Sequence, residues 1–519
     1  MSEPRITPAD DRLALLAQLL AAQGIDAPDT GGAIVPRSHD ASLRAADAQE
    51  LIWLLDRATP GLTAYNIPMA FRVKGPLQLD ELERALDALV QRHEALRTTF
   101  RAEGEHPVLS VGESRAIGMT RLDVSTVPAG RREAEATRLL QVQARRPFDL
   151  ARDLLLRATT IRLADDEHLL LIESHHITLD GWSAGILLGD LAALYNGLVA
   201  GQPADLPPLP IQYRDFVAWQ REQLEGPRLE ELLGYWRPQL AAAPASLDLP
   251  TDRPRGNAPA FEGATVRLVL PPETQGQLNA LAQRHGATMY MVLLAGYQAV
   301  LHRWSGQTEI VTGSASAGRT RPETEKLVGY FANTLAIRNS FADDPTFETL
   351  LGRVRESALG AYDHQEIPLE RLVLELRRDR AASHAPLYQC VLTMQDARPD
   401  TGPGRLPLHG VSVAPAPVEL GATKFDLTLF PAERAEGLRL SLLYRTDLFE
   451  EPTAARFLGH LATLLTGAAA DPSMRVSRLP LLTSEERADL SRWNATAWDE
   501  GPAVTVAALV ERHAARVPA

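Results

Sequence analysis

Cysteine is all but absent from this chain: Cys390 is the only one in 519 residues. That excludes a disulfide framework, and a reducing, cytoplasmic setting is expected. An excess of basic residues is missing too. With 53 Lys and Arg against 66 Asp and Glu, the net charge of −13 argues against nucleic acid or an anionic membrane as partner. The opening MSEPRITPADD has neither the basic n-region nor the apolar h-region of a signal peptide. No apolar run reaches the roughly 20 residues that a membrane-spanning helix needs. Fixed-period repeats and low-complexity tracts are also lacking. What is there is 45% apolar and 23% charged, the balance of a soluble globular protein. The chain is too long for one core, so more than one structural unit is expected.

Residues 9–24, ADDRLALLAQLLAAQG, have apolar positions at helical spacing and a closing Gly24. They predict an amphipathic helix, either packed on the body or docking a partner protein. The body starts near Leu43. A helix is predicted from Leu79 to Glu94, with Leu79, Leu82, Leu86 and Leu89 on one face, running into a strand. EHLLLIESHH, short and continuously apolar, predicts a buried strand, and SAGILLGDLAALYNGL predicts a helix with Ser183 as its N-cap. Proline-rich connectors at 201–210 and 248–263 flank a helical stretch that bridges two halves. Further helices are expected near 273–285 and 288–304, around Gly286. Near the end, ALVERHAARVP reads as the entry to another domain.

SHHITLDGWSAG, Ser174 to Gly185, sits on the strand–loop–helix unit and carries overlapping signatures. Gly181-Trp182-Ser183-Ala184-Gly185 spells G-x-S-x-G, the nucleophile elbow of a serine hydrolase or thioesterase. An elbow turns at the serine itself, but ITLDG intervenes here and no HGGG-type oxyanion motif precedes it. A metal site is disfavoured as well, because adjacent strand residues point to opposite faces and His175 and His176 cannot readily share one ion. The same alternation supports a third reading. One histidine faces the core, and the other faces a cleft as a general base near neutral pH. Asp180 shapes the loop, Gly181 lets the backbone pass closely under a substrate, and the helix N-terminus favours developing negative charge.

HHITLDG resembles the HHxxxDG motif of condensation domains of nonribosomal peptide synthetases, within the chloramphenicol-acetyltransferase-like superfamily. The likeness continues in order. ADAQELIW (46–53) resembles SxAQxRLW, RHEALRTTF (92–100) resembles RHExLRTxF, and YRDFVAW (213–219) resembles YxDFAxW. VGYFANTLAIR (328–338) is similar to IGxFVNTLxxR, DHQEIPLERLV (363–373) to HQDxPFExLV, and RAASHAPLYQ (380–389) to RxxSxNPLFQ. KFDLTL (424–429) and YRTDLF (444–449) are smaller matches. Ala46, Leu51, Leu369 and Ala385 depart from the pattern, and none of them lies in HHxxxDG.

The resemblance implies an α/β (α+β) fold, a V-shaped pseudo-dimer of two acetyltransferase-like lobes with a central substrate channel. Residues 41–222 would form the first lobe and 223–487 the second, after a helix and linker over 1–40; 488–519 would be a linker and the start of a truncated adenylation domain. It implies amide formation by attack of a carrier-bound aminoacyl amine on an acyl or peptidyl thioester. His176 is then catalytic, with His175, Asp180 and Gly181 completing the motif, and Arg319, Trp182 and Ser183 support the loop. Arg319, in SAGRTRPE, is the expected partner of Asp180, and Trp182 packs beneath the loop. No cofactor or metal is bound by the domain; substrates ride on phosphopantetheine arms, or the donor comes as an acyl-CoA. The partners implied are an upstream donor carrier, a downstream acceptor carrier and an adjoining adenylation domain. Two subtypes fit: one taking an L-configured peptidyl or aminoacyl donor, and a starter domain adding a fatty acyl group. The Met1 start suggests a domain that opens its polypeptide. A serine hydrolase using Ser183 and a non-catalytic carrier-docking module are the competing readings.

Overall fold

Nine residues from Glu167 to His175 form a strand on which all but the first are buried, as its unbroken apolar run requires. It lies in a computed structural model that describes residues 32–38, 43–256, 260–376, 387–394, 405–496 and 504–517. The expected helix over 9–24 lies outside the described residues, as does Ala385.

The strands of the first half are β1 (Leu43–Arg44), β2 (Asn66–Lys74), β3 (Thr98–Glu103), β4 (His106–Val111), β5 (Thr120–Asp123), β6 (Leu156–Ala164) and β7 (Glu167–His175). Those of the second are β8 (Gly263–Leu270), β9 (Glu309–Ser316), β10 (Asn333–Ser340), β11 (Cys390–Leu392), β12 (Ser412–Pro415), β13 (Leu427–Arg434) and β14 (Gly437–Arg445). They make a small sheet, β1-β4-β3, and two large ones, β12-β2-β7-β6-β5 and β10-β9-β11-β13-β14-β8.

The large sheets repeat each other. In the first, β2 pairs antiparallel with β7, β7 with β6, and β6 runs parallel to β5. In the second, β8 pairs antiparallel with β14, β14 with β13, and β13 runs parallel to β11. The turn after β7 repeats too. His176 N donates to Tyr65 O at 2.8 Å, and Leu179 N to His175 O at 3.1 Å. After β14, Thr446 N donates to Glu262 O at 3.1 Å and Phe449 N to Arg445 O at 2.9 Å. Each turn leads into a helix of 20 residues, Gly181–Ala200 and Glu451–Ala470. The sequence showed no repeat because only the backbone path is duplicated: Arg445 and Thr446 stand where the first lobe has His175 and His176. Arg445 there ion-pairs with Asp426 and Asp447, so the second lobe holds a salt bridge where the first holds two imidazoles.

The lobes are stitched together. Strand β12, from the second half, adds to the first sheet along β2, with Val413 opposite Val73. Helices Tyr213–Gln223 and Pro227–Leu240, broken at Gly226 with φ +68°, carry the chain from one lobe to the other. The helix predicted to Glu94 ends at Arg92, and a short 3-10 turn over Glu94–Arg97 precedes β3.

One expectation is overturned. Helix Gly181–Ala200 is long and apolar enough by composition to cross a membrane. It is apolar on several sides because it is wedged beside helix Leu79–Arg92: Leu187, Leu191 and Tyr195 are buried in one cluster with Leu82, Leu86 and Leu89. Arg92 and His93 also bind its Asp190 at 2.8 and 2.9 Å.

Candidate active site

Strand β7 delivers its last side chain, His175, into the interior. Nδ1 accepts a hydrogen bond from Ile177 N at 3.2 Å, and the ring lies 5.9 Å from Phe148 and 6.3 Å from Tyr65. Burial, then the charges of Lys424 and Arg157, push its pKa down to about 3, so it is a neutral structural ring. His176 has left the strand and keeps partial exposure. Its ring stands edge-on to Tyr330 at 5.7 Å and to Tyr65 at 6.4 Å, and Nδ1 has no hydrogen-bond partner of good geometry among the described residues. Desolvation holds this imidazole well below its ordinary pKa; Lys424 and His175 push the same way, and the Leu179 backbone opposes them. His175 lies in the core as expected, whereas His176 borders Tyr330, a wall of the inter-lobe recess, without itself lining that recess. The expected near-neutral base does not appear: a ring this dry stays unprotonated at neutral pH and is a weaker base than free imidazole.

The turn after His176 is held from the other lobe. Asp180, not Ser183, caps helix Gly181–Ala200, accepting from Ser183 N at 2.7 Å through Oδ1. Its second oxygen accepts from Phe331 N at 2.9 Å and Ala332 N at 3.1 Å, just before β10. A carboxylate can accept from all three of these N–H donors at once, more than the two lone pairs of a serine hydroxyl allow. Ser183 is instead the third helical residue, and its hydroxyl is fully engaged. It donates to Gly329 O at 2.7 Å, and it accepts from Gly329 N at 3.1 Å and Arg319 Nη2 at 2.7 Å.

Arg319 reaches Asp180 as expected, but loosely, at 3.7 Å. Its hydrogen bonds go to Ser183 Oγ, Leu327 O and Thr324 O, and its guanidinium lies 4.0 Å from the Phe331 ring centroid. The second-lobe segment approaches so closely that a Cβ at Gly329 would meet the Tyr213 ring at 2.1 Å. Trp182 does not pack beneath the loop. It is 36% exposed and reaches across to donate to Glu325 O at 3.1 Å, because the first helical turn points it toward the other lobe.

Gly181 needs its small size for neither conformation nor packing: its φ is ordinary, and a Cβ there would meet nothing within 4 Å. Beside the loop, a small recess lies between the lobes, walled by Ala46, Trp219, Leu224, Tyr330, Asn333 and Pro368. Tyr330 belongs both to this wall and to the His176 contact. Around the histidines stand groups that sequence reasoning passed over: Tyr65, Tyr330, Glu370 and Lys424. Burial lifts Glu370 to about 7 and lowers Lys424 to about 7. Three of these had a signal, since Tyr330, Glu370 and Lys424 fall inside motif stretches that resemble the family pattern. Tyr65 had none.

The condensation-domain family model matches residues 41–491. The chain belongs to the condensation-domain family. A linear gramicidin synthase polypeptide from Brevibacillus parabrevis is 40% identical over 488 residues, which cover 93% of this chain and 6% of that protein. The condensation domain thus spans a small part of such a relative. Among solved structures, the X-domain from teicoplanin biosynthesis aligns with TM-score 0.80 at 27% identity, over 87% of this chain and 100% of that one. The first condensation domain of the calcium-dependent antibiotic synthetase, in complex with a substrate analogue, aligns with TM-score 0.71 at 23% identity, over 86% and 100%. The condensation domain therefore has the two-lobed fold of solved condensation domains, and its family includes amide-forming acyltransferases of nonribosomal peptide synthesis.

Proposed function

We propose that this domain joins an acceptor aminoacyl group to a donor acyl or peptidyl group, both presented as thioesters on phosphopantetheine arms of carrier proteins, with His176 meeting the acceptor amine. The neutral ring accepts a hydrogen bond from the amine while the nitrogen lone pair attacks the thioester carbonyl carbon. The C–S bond then breaks, the amide forms, and the amine proton leaves with the donor thiol. A thioester is already activated, so holding two tethered reactants together supplies much of the rate, and no covalent enzyme intermediate is needed. The observation that carries this reading is the pairing of a neutral His176, packed against the Tyr330 ring that walls the inter-lobe recess, with a Ser183 hydroxyl whose bonds are all used within the protein. A serine nucleophile requires a free, base-activated hydroxyl, and Ser183 is neither.

In this reading His175 and Asp180 hold the turn, Arg319, Ser183 and Trp182 tie it to the second lobe, and Gly181 leaves room for the reacting groups at a helix N-terminus. Residues 41–222 and 223–487 serve as the two lobes, and 488–519 lead toward an adenylation domain in a cytoplasmic assembly. The donor is either an L-configured peptidyl or aminoacyl group or a fatty acyl group, from a carrier or from CoA. Incubation with aminoacyl acceptor carrier and, in parallel, aminoacyl carriers, acyl carriers and acyl-CoAs decides between them. Mass spectrometry of the acceptor arm is expected to show amide product with one donor class. Absence of condensation with every donor class counts for a carrier-docking module.

Gly181→Ala gives a sharper local test. Nothing in the fold opposes the extra methyl, and alanine is the better helix former, so the thermal midpoint is expected to stay level or rise. If substrate passes over this backbone, the condensation rate falls about tenfold or more. An unchanged rate removes Gly181 from the reacting surface.

A further inference from the structure

Lys424 stands at this site with no counter-charge among the described residues. Its backbone is fixed on both sides. Thr423 N donates to Phe261 O at 2.7 Å, Thr423 Oγ1 donates to Phe425 O at 3.0 Å, and the Phe425 ring packs 5.7 Å from Tyr388. The ammonium is thereby held over the face of Tyr65, 4.4 Å from the ring centroid, and that same ring borders His175 and His176 at 6.3 and 6.4 Å. No carboxylate among the described residues pairs with it. A buried ammonium without a counter-ion is costly, and a cation–π contact offsets only part of that cost.

We propose that Lys424 is a positioning residue whose ammonium, fixed against Tyr65 beside the histidine pair, adds to burial in holding the His176 imidazole in the unprotonated form that can receive the acceptor amine. The inference rests on the reading of His176 as the group that meets the amine. As pH falls, Lys424 takes up a proton near pH 7, before either histidine. Its new charge then opposes protonation of His176 in the very range where a free imidazole would be filling.

The other groups facing His176 do not substitute for it. His175 is neutral and adds only a small like-charge effect, and Tyr65 and Tyr330 are buried phenols whose ionisation is pushed upward. Glu370 acts on those two tyrosines, and Arg157 acts on His175; neither figures among the groups that shift His176. Lys424 is thus the cation placed to tune the reacting ring.

The test uses the full chain labelled with ¹³C-histidine, the His176 resonance being assigned by its loss in His176→Gln. Wild-type His176 is expected to stay unprotonated to well below pH 6.5. In Lys424→Met its titration moves up by on the order of one pH unit, and the acid limb of condensation moves up with it. Lys424→Arg, which keeps a cation there, retains the low titration. Methionine replaces an unpaired charge by an apolar chain of similar length, so folding is expected to survive, and Lys424→Gln gives a second uncharged variant. An unmoved His176 titration in both uncharged variants overturns the proposal. A titration that moves while the acid limb stands still upholds the role of Lys424 and removes His176 as the reacting group.

Discussion

His176→Ala is expected to lower amide formation by about 10²- to 10⁴-fold, the range for removing a positioned proton acceptor, while leaving the thermal midpoint nearly unchanged. Nδ1 of the ring has no hydrogen-bond partner of good geometry among the described residues, and its neighbours are the rings of Tyr65 and Tyr330. Ser183→Ala has the opposite signature. It strips the partners from Gly329 N and O and from one nitrogen of Arg319 in a buried setting, a loss of about 1–3 kcal/mol. The rate below the lowered melting point is expected to stay within a few-fold of wild type. Product formation on the acceptor carrier, read beside melting curves, gives both quantities. A Ser183→Ala variant that is stable but inactive would return the hydrolase reading and sink this one.

The second large effect is on the fold. Asp180→Ala removes the acceptor for Ser183 N, Phe331 N and Ala332 N and leaves the buried Arg319 without its carboxylate. Breaking a buried charge network in this way costs about 3–5 kcal/mol, a large share of the roughly 5–15 kcal/mol that stabilises a typical protein. A steep drop in soluble yield and thermal midpoint is expected, with activity lost as a consequence. Asp180→Asn keeps one acceptor oxygen but aims an NH₂ group at an N–H donor, so it should fall between alanine and wild type. A midpoint for Asp180→Ala within a couple of degrees of wild type would show that this clasp contributes little.

Much of this was readable in the residues. The apolar run of β7, the helices around Gly286 (φ +58°) and the strand–turn–helix carrying His175 and His176 follow from periodicity and turn chemistry. Arg319 was reachable as the partner of Asp180 only through the family likeness, since 139 positions of chain separate them. The capping assignment failed because local propensity favours serine as readily as aspartate, whereas the actual choice was made by Phe331 and Ala332, donors from a distant segment. The basicity of His176 failed for a related reason: desolvation depends on what folds around the ring. The duplication of the lobes was invisible because packing constrains backbone path more tightly than side-chain identity.

The clasp at Asp180 also has a mechanical meaning. The carboxylate that shapes the histidine turn on the first lobe takes two of its hydrogen bonds from the backbone leading into β10 of the second. If the lobes move apart to admit the tethered arms of the proposed reaction, these bonds hold the centre while the mouths swing. The proposed reacting group, four residues before Asp180, would then sit where relative displacement is smallest.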